Sequence, residues 1–243
     1  MREYSPVLNR GRSRFAPRPL ATAATAAAVL VFGALGEWQL DRAAAKRALA
    51  VDFAQTGPVL EWRKLAADAP RFQRVSVHGR YDPDRQFLLD NMSNKGRAGV
   101  QVLTPLVLVD GSAVIVNRGW LPFGATREDL PAVSVAGESR RVSGRIDELP
   151  RPPIELKAKP AGGWPRLVQF PRIEELSMLL GRELDSRIIL LDPAEPDGYV
   201  REWAVPGMPP ARHLGYAVQW FAFAALAVAI WFVLSLHRPG DPR

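Results

Sequence analysis

Leu214 to Leu236 reads LGYAVQWFAFAALAVAIWFVLSL, a run without one charged side chain. A second such stretch, Leu20 to Leu40 (LATAATAAAVLVFGALGEWQL), stands near the other end, with Glu37 as its one charge. At 1.5 Å of rise per residue, about 20 residues of helix span roughly 30 Å, one hydrocarbon thickness. Everything from Asp41 to His213 is polar, proline-punctuated and too mixed to cross a bilayer. The expected architecture is two transmembrane α-helices flanking a soluble external domain. The divisions fall at 1–19 (tail), 20–40 (first span), 41–212 (external domain), 213–236 (second span) and 237–243 (tail).

The residues ahead of the first span carry Arg2, Arg10, Arg12, Arg14 and Arg18 against one acid, Glu3. A secretory signal has an apolar stretch of about 7–15 residues and a small-residue cleavage site. Here the run is longer and ends in Trp38-Gln39, so an uncut anchor is expected. The positive-inside rule then puts both tails in the cytoplasm of a bacterial inner membrane and the main domain outside, periplasmic or extracytoplasmic. Arg42, Lys46 and Arg47 lie on the wrong side for the simplest form of that rule, but long loops translocate largely regardless of charge. An Arg-rich, acid-poor transit sequence looks similar, which keeps the mitochondrial inner membrane as the alternative.

The formal charge of +7 is concentrated in the tails. Setting aside their seven arginines and their acids, and Glu37 of the first span, leaves 25 basic residues against 22 acids between the spans, so the external domain is nearly neutral. With no basic stripe interleaved with aromatics, nucleic acid is not an expected partner. Cysteine is absent. That excludes disulfides, thiolate metal sites, iron–sulfur ligation and a C-x-x-C-H haem attachment.

Most of the external domain reads as strand. Phe72 to Tyr81 alternates over Val75, Val77 and Gly79; Gln86 to Leu89 is a short apolar run ending in Asp90-Asn91. Val100 to Val109 and Ala113 to Val116 flank Asp110-Gly111, a strong hairpin signal. Val142 to Ile146 and Ile188 to Leu191 add two candidates. Helix is expected where the first span continues through Phe53 and at Ile173 to Leu180, which Gly181 stops. The expected fold class is β-rich α+β, a small antiparallel barrel or sandwich. The proline-dense stretches 150–165 and 193–210 read as ordered connections.

Catalytic patterns are sparse. His78, His213 and His237 are far apart, and no G-x-S-x-G, H-E-x-x-H or phosphate loop occurs. His78 reads as a strand histidine and His237 as an interfacial cation.

The remaining chemistry lies at the membrane boundary. At about 100° per residue, His213, Tyr216, Ala217, Trp220 and Ala224 share one stripe of the second span. An imidazole at the lip with two aromatic rings on its face suits a flat apolar cofactor such as haem, for which histidine is a common axial ligand. Interfacial belt residues and a solvated histidine are the competing reading. On the first span Gln39, Arg42 and Lys46 project together just past Trp38, at the same membrane level. They suit the carboxylates of a cofactor or partner, although such residues more often meet lipid phosphates by snorkelling.

These residues carry a resemblance. Gly36-Glu37-Trp38-Gln39-Leu40 with Arg42 and Lys46, then Asn117-Arg118-Gly119-Trp120-Leu121-Pro122, then His213-Leu214-Gly215-Tyr216-Ala217-Val218-Gln219-Trp220-Phe221 resemble, in order, the signatures of the Surfeit-one family of cytochrome c oxidase assembly factors. The resemblance, which includes Gly79 to Asp82, covers nearly the whole chain. It implies a β-rich domain between two spans and a non-enzymatic role in maturing the haem a and copper centre of oxidase subunit I. It further implies that haem a can be bound, transiently, with His213 as the axial iron ligand; the lip geometry adds Tyr216, Trp220, Trp38, Gln39 and Arg42 as the expected surround. The implied partners are oxidase subunit I, then haem a synthase, and membrane lipid. A cofactor-free membrane tether that recruits oxidase subunits is the alternative.

Two structural expectations complete the reading. Arg118 is expected to pair with an acid such as Asp90, and Trp120 to cap the domain core; contact of both with a partner or the cofactor is the competing reading. Gly33 and Gly36, with Ala217 and Ala224, are expected to let the spans pack closely, bringing Trp38 and Gln39 near His213.

Overall fold

The computed structural model describes residues 14–54, 57–124, 129–150, 163–203, 205 and 207–237. In chain order its elements are β1 (Arg14–Phe15), α1 (Pro19–Ala54), β2 (Leu60–Glu61), β3 (Arg74–Tyr81), β4 (Phe87–Asn94), β5 (Arg97–Val107) and β6 (Ala113–Pro122). There follow β7 (Ser139–Asp147), β8 (Arg166–Val168), α2 (Ile173–Leu180), β9 (Leu184–Leu191), α3 (Pro210–Ser235) and β10 (Leu236–His237). Asp52–Val205 form one compact unit, and the terminal segments carrying α1 and α3 form the other.

The first unit is β-rich, as expected. Its strands run in the order β2-β3-β7-β9-β6-β5-β4-β8, and an extra pairing of β3 with β5 closes five of them into a barrel. β5 makes this possible by its length. Its first part pairs with β4, while Leu106 and Val107 reach Tyr81 and Arg80. Val75, Val77, Leu106, Val114, Val116, Val142, Ile189 and Leu191 pack as one buried cluster. A second cluster sets Phe87, Leu103, Ile115 and Ile188 against Leu176 and Leu180 of α2. β6 is therefore buried on both faces, because alternate residues serve the two clusters. Each such aliphatic side chain stabilises by about 1.5–3 kcal/mol on burial.

Within that architecture the sheet is mixed where a wholly antiparallel one was expected. β2–β3, β4–β8 and β6–β9 pair in parallel. Parallel neighbours are joined by long crossovers, which no local turn signal announces. Local signals elsewhere held. Gly181 ends α2 in the left-handed region at φ 62°, its N–H reaching back to Met178 and Ser177. At Asp110-Gly111 the Asp110 carboxylate accepts from the Ser112 amide (3.0 Å) and hydroxyl (2.7 Å).

Asp90-Asn91, in contrast, does not turn the chain. β4 runs on to Asn94, with a register shift between Leu89 and Met92 and Asn91 at φ 60°. The turn comes at Lys95-Gly96, both at positive φ, between the paired residues Asn94 and Arg97. That is the two-residue geometry matched to strand twist. Of the proline-rich stretch 150–165, residues 151–162 lie outside the described residues, as do most of the two tails.

The second unit is a pair of antiparallel helices, each long and apolar enough to span a membrane. At 36 residues α1 is roughly 54 Å long, so it continues well past one hydrocarbon thickness. Contacts run along the whole seam. Trp231 donates to Thr22 (2.9 Å), Phe32 stacks on Trp220 with ring centroids 5.8 Å apart, and a Cβ on Gly36 would lie 2.7 Å from the Phe221 ring. Gly36, Ala43 and Ala217 are buried in this seam. The spans therefore pack through small residues, but Gly33 is not one of them: a Cβ there would meet nothing within 4 Å.

Candidate functional site

The lip of the helix pair is built around one hydrogen bond. His213 Nδ1 lies 2.8 Å from Gln39 Oε1. Both side chains are half-buried in the seam, one helical turn from Gly36, Ala43 and Ala217. A carbonyl oxygen only accepts, so Nδ1–H donates to it, and in the neutral imidazole Nε2 is then the nitrogen that carries the in-plane lone pair. In that tautomer any further acceptor role of the ring falls to Nε2.

The other predicted residues divide into two groups. Trp220 faces the seam and is taken up by its stack on Phe32 and an edge contact with Phe223. Trp38 is 50% exposed and Tyr216 41% exposed, so neither is a seam residue. Arg42 places its guanidinium carbon 5.5 Å from the centre of the Trp38 ring. Taking Gln39 and His213 as facing, a spacing of about 100° per residue sets Trp38, Arg42 and Tyr216 on one flank of the antiparallel pair, with Phe221 on the other. The lip thus offers a lone-pair nitrogen at the seam and an adjoining flank of two exposed aromatic rings and a cation.

The barrel unit holds a different polar centre, one the sequence reading misjudged. Arg118 is the largest fully buried side chain among the described residues, 1% exposed. It does not pair with Asp90, whose carboxylate takes Gln169 Nε2 (2.9 Å) and the Asn91 amide (2.6 Å). Arg118 instead donates to the carbonyls of Asp197 (2.7 Å) and Ser134 (2.9 Å) and to Gln86 Oε1 (3.0 Å), with the Tyr199 ring 5.0 Å away. Desolvation lowers its pKa, opposed by the tyrosines and Asp197. Trp120 is buried as expected, its indole N–H on the Met92 carbonyl (3.1 Å).

Beside Arg118, burial pushes the Tyr81 phenol up to about 12, against the pull of Arg118 and Arg140. A raised folded-state value means stability is intact below the unfolded phenol's pKa of about 10 and is lost as pH rises through 12. We expect Tyr81→Phe to remove part of the alkaline unfolding between pH 10 and 12. Urea midpoints of the two proteins at pH 9 and 11.5 check this; equal losses in both would show that Tyr81 is not the titrating group.

His78 is exposed, with Nε2 3.2 Å from Ser139 Oγ. It lines an open cleft of about 800 Å³ with Trp62, Leu108, Asp110, Arg141 and Glu183. Among the described residues no carboxylate is hydrogen-bonded to its Nδ1, so the histidine–serine pair lacks an orienting acid. The side chain of His237 lies outside the described residues.

The SURF1 family model matches residues 26–225. The chain belongs to the SURF1 family. Its relatives include a SURF1-like protein of Monosiga brevicollis, 25% identical over 236 residues, covering 88% of this chain and 86% of the relative. An uncharacterized SURF1-like protein of Mycobacterium bovis is 25% identical over 218 residues (86% and 79%), and one of Rickettsia bellii 23% over 208 residues (81% and 83%). SURF1 proteins are generally cytochrome c oxidase assembly factors. This member is a two-span membrane protein with a β-rich domain between its spans.

Proposed function

We propose that this SURF1 protein is a non-enzymatic assembly factor that holds haem a at its membrane lip for cytochrome c oxidase subunit I, with haem a synthase as a second contact. The observation that supports it most is the Gln39–His213 hydrogen bond, which leaves Nε2 of His213 free to ligate. The donor set suits the group. Among the described residues no three His, Asp or Glu side chains converge on a metal site. A lone imidazole suits an iron whose four equatorial ligands come from a macrocycle, and not a zinc ion held by protein ligands alone. Held there, the group supplies the redox-active iron centre of the oxidase.

The chain's own part is to bind and orient. His213 would provide the nitrogen ligand, Tyr216 and Trp38 would offer apolar faces at the flank, and Arg42 would offer positive charge for carboxylates. The tails belong in the cytoplasm of a bacterial inner membrane and the barrel outside it. One observation favours the second reading, a cofactor-free tether recruiting oxidase subunits: the seam is already occupied by the stack of Phe32 on Trp220. If this chain holds haem, the group would therefore lie against the flank and not between the helices.

Purified from cells that make haem a, the wild-type protein is expected to show a haem spectrum. His213→Ala is expected to lower occupancy by tenfold or more, the scale of losing a ligand. Full occupancy in His213→Ala, or equal rescue of a deletion strain by both proteins, would favour the tether.

A further inference from the structure

We infer that Gln39 is the positioning residue for His213: its side-chain oxygen, across the helix seam, selects the Nδ1–H tautomer and so directs Nε2 outward as the ligating atom. The inference rests on the reading of His213 as an iron ligand, but it concerns a proton that can be located without iron.

An amide can meet an imidazole in two ways. With Oε1 toward the ring, Nδ1 carries the proton and Nε2 the lone pair. With Nε2H₂ of the glutamine toward the ring, Nδ1 accepts, the proton moves to Nε2 of the histidine, and ligation through that atom is blocked. The first arrangement is the one present, at 2.8 Å. It is also the arrangement found behind metal-bound histidines generally, where a partner on the far nitrogen fixes tautomer and ring orientation.

The seam explains why the partner comes from the other helix. Gly36 and Ala43, close to Gln39 on α1, and Ala217, one turn beyond His213 on α3, are buried. Small residues there bring the two backbones close enough for a glutamine to reach the ring. Trp38 and Arg42 engage each other at the flank. The other charged groups of the lip sit on the same two elements: Glu37, Asp41, Lys46 and Arg47 on α1 and Arg212 on α3.

The test labels the histidines with ¹⁵N in the haem-free, full-length protein in detergent, His213 being assigned by its loss in His213→Ala. We expect wild-type His213 in its neutral form to show a protonated Nδ1 and an unprotonated Nε2. Gln39→Leu and Gln39→Asn, which remove or withdraw the acceptor, should shift the population toward Nε2–H. Gln39→Glu keeps the acceptor and should hold Nδ1–H. With haem a added, Gln39→Leu should bind roughly 10–100-fold more weakly, while Gln39→Glu should bind and show a lower midpoint potential, from a more electron-rich imidazole. Should Gln39→Leu fail to fold, Gln39→Asn carries the comparison. A protonated Nε2 in the wild type, or a tautomer unmoved by both Leu and Asn, overturns the inference whether or not haem binds. If the tautomer follows Gln39 while His213→Ala keeps its haem, the positioning role stands and the haem reading of the lip falls.

Discussion

Replacing Arg118 by leucine is expected to lower the melting temperature of the barrel unit by on the order of 10 °C. The guanidinium is buried at 1% exposure and spans the carbonyls of Asp197 and Ser134 and the Gln86 side chain. Leucine matches part of its volume but leaves those acceptors without donors in a dry interior, at about 1–3 kcal/mol for each one that stays unsatisfied. Some of that cost is offset because a charge no longer needs burying. A net loss of about 3–5 kcal/mol remains, and in a unit of this size each kcal/mol moves the midpoint by about 2–4 °C. Arg118→Lys should fall between, since one ammonium cannot reach acceptors spread around a planar fork. Thermal melts of the full chain in detergent, followed by near-ultraviolet dichroism, read the effect. A leucine variant melting within a degree or two of wild type would mean that water or neighbouring side chains satisfy the orphaned carbonyls.

Gly119→Ala is the second large effect, and the adjoining backbone is its cause. Gln101 pairs with Trp120, but Leu103 pairs with Asn117, so Arg118 and Gly119 together oppose Val102 in a β-bulge. Gly119 has φ 111° there, and an added Cβ would lie 2.7 Å from the Val200 carbonyl oxygen. That carbonyl is engaged, accepting the Trp120 amide at 2.8 Å while the Tyr199 amide donates to the Arg118 carbonyl at 2.7 Å. Alanine therefore meets backbone strain of about 1–3 kcal/mol and a clash of similar size. A loss of about 2–5 kcal/mol is expected, with the 197–200 segment released first. Hydrogen exchange at the Tyr199 and Trp120 amides measures this release directly. Unchanged protection at both amides would show that the segment is held by something other than the bulge.

The two effects explain why Asn117-Arg118-Gly119-Trp120 reads as a motif. Arg118 holds the Asp197 and Ser134 carbonyls from inside the barrel, and Gly119 lets the 199–200 backbone come close from outside. The motif binds the domain to itself, and no contact to a partner is needed to account for it.

The spans, the Asp110-Gly111 hairpin and the short helix ended by Gly181 were all legible in the sequence, because each rests on a signal carried by consecutive residues. Apolar length measures a bilayer, positive-φ residues mark turns, and glycine ends helices. The alternation that sends Val114 and Val116 inward also sends Arg118 inward; a charge was simply not expected to follow it. Asp90-Asn91 had turn chemistry but served a bulge, since pairing with β5 continued past it. The parallel partners of β2, β4 and β6 were invisible, because they join segments far apart in the chain. So was the role of Gln39. Its position at the lip followed from helical spacing, but its hydrogen bond to His213, 174 residues away, depends on how closely Gly36, Ala43 and Ala217 let two helices approach. Local chemistry determined which elements form and which residues reach the lip. Only tertiary packing decided which of them meet, because hydrogen bonds form at distances that side-chain volumes elsewhere in the seam set.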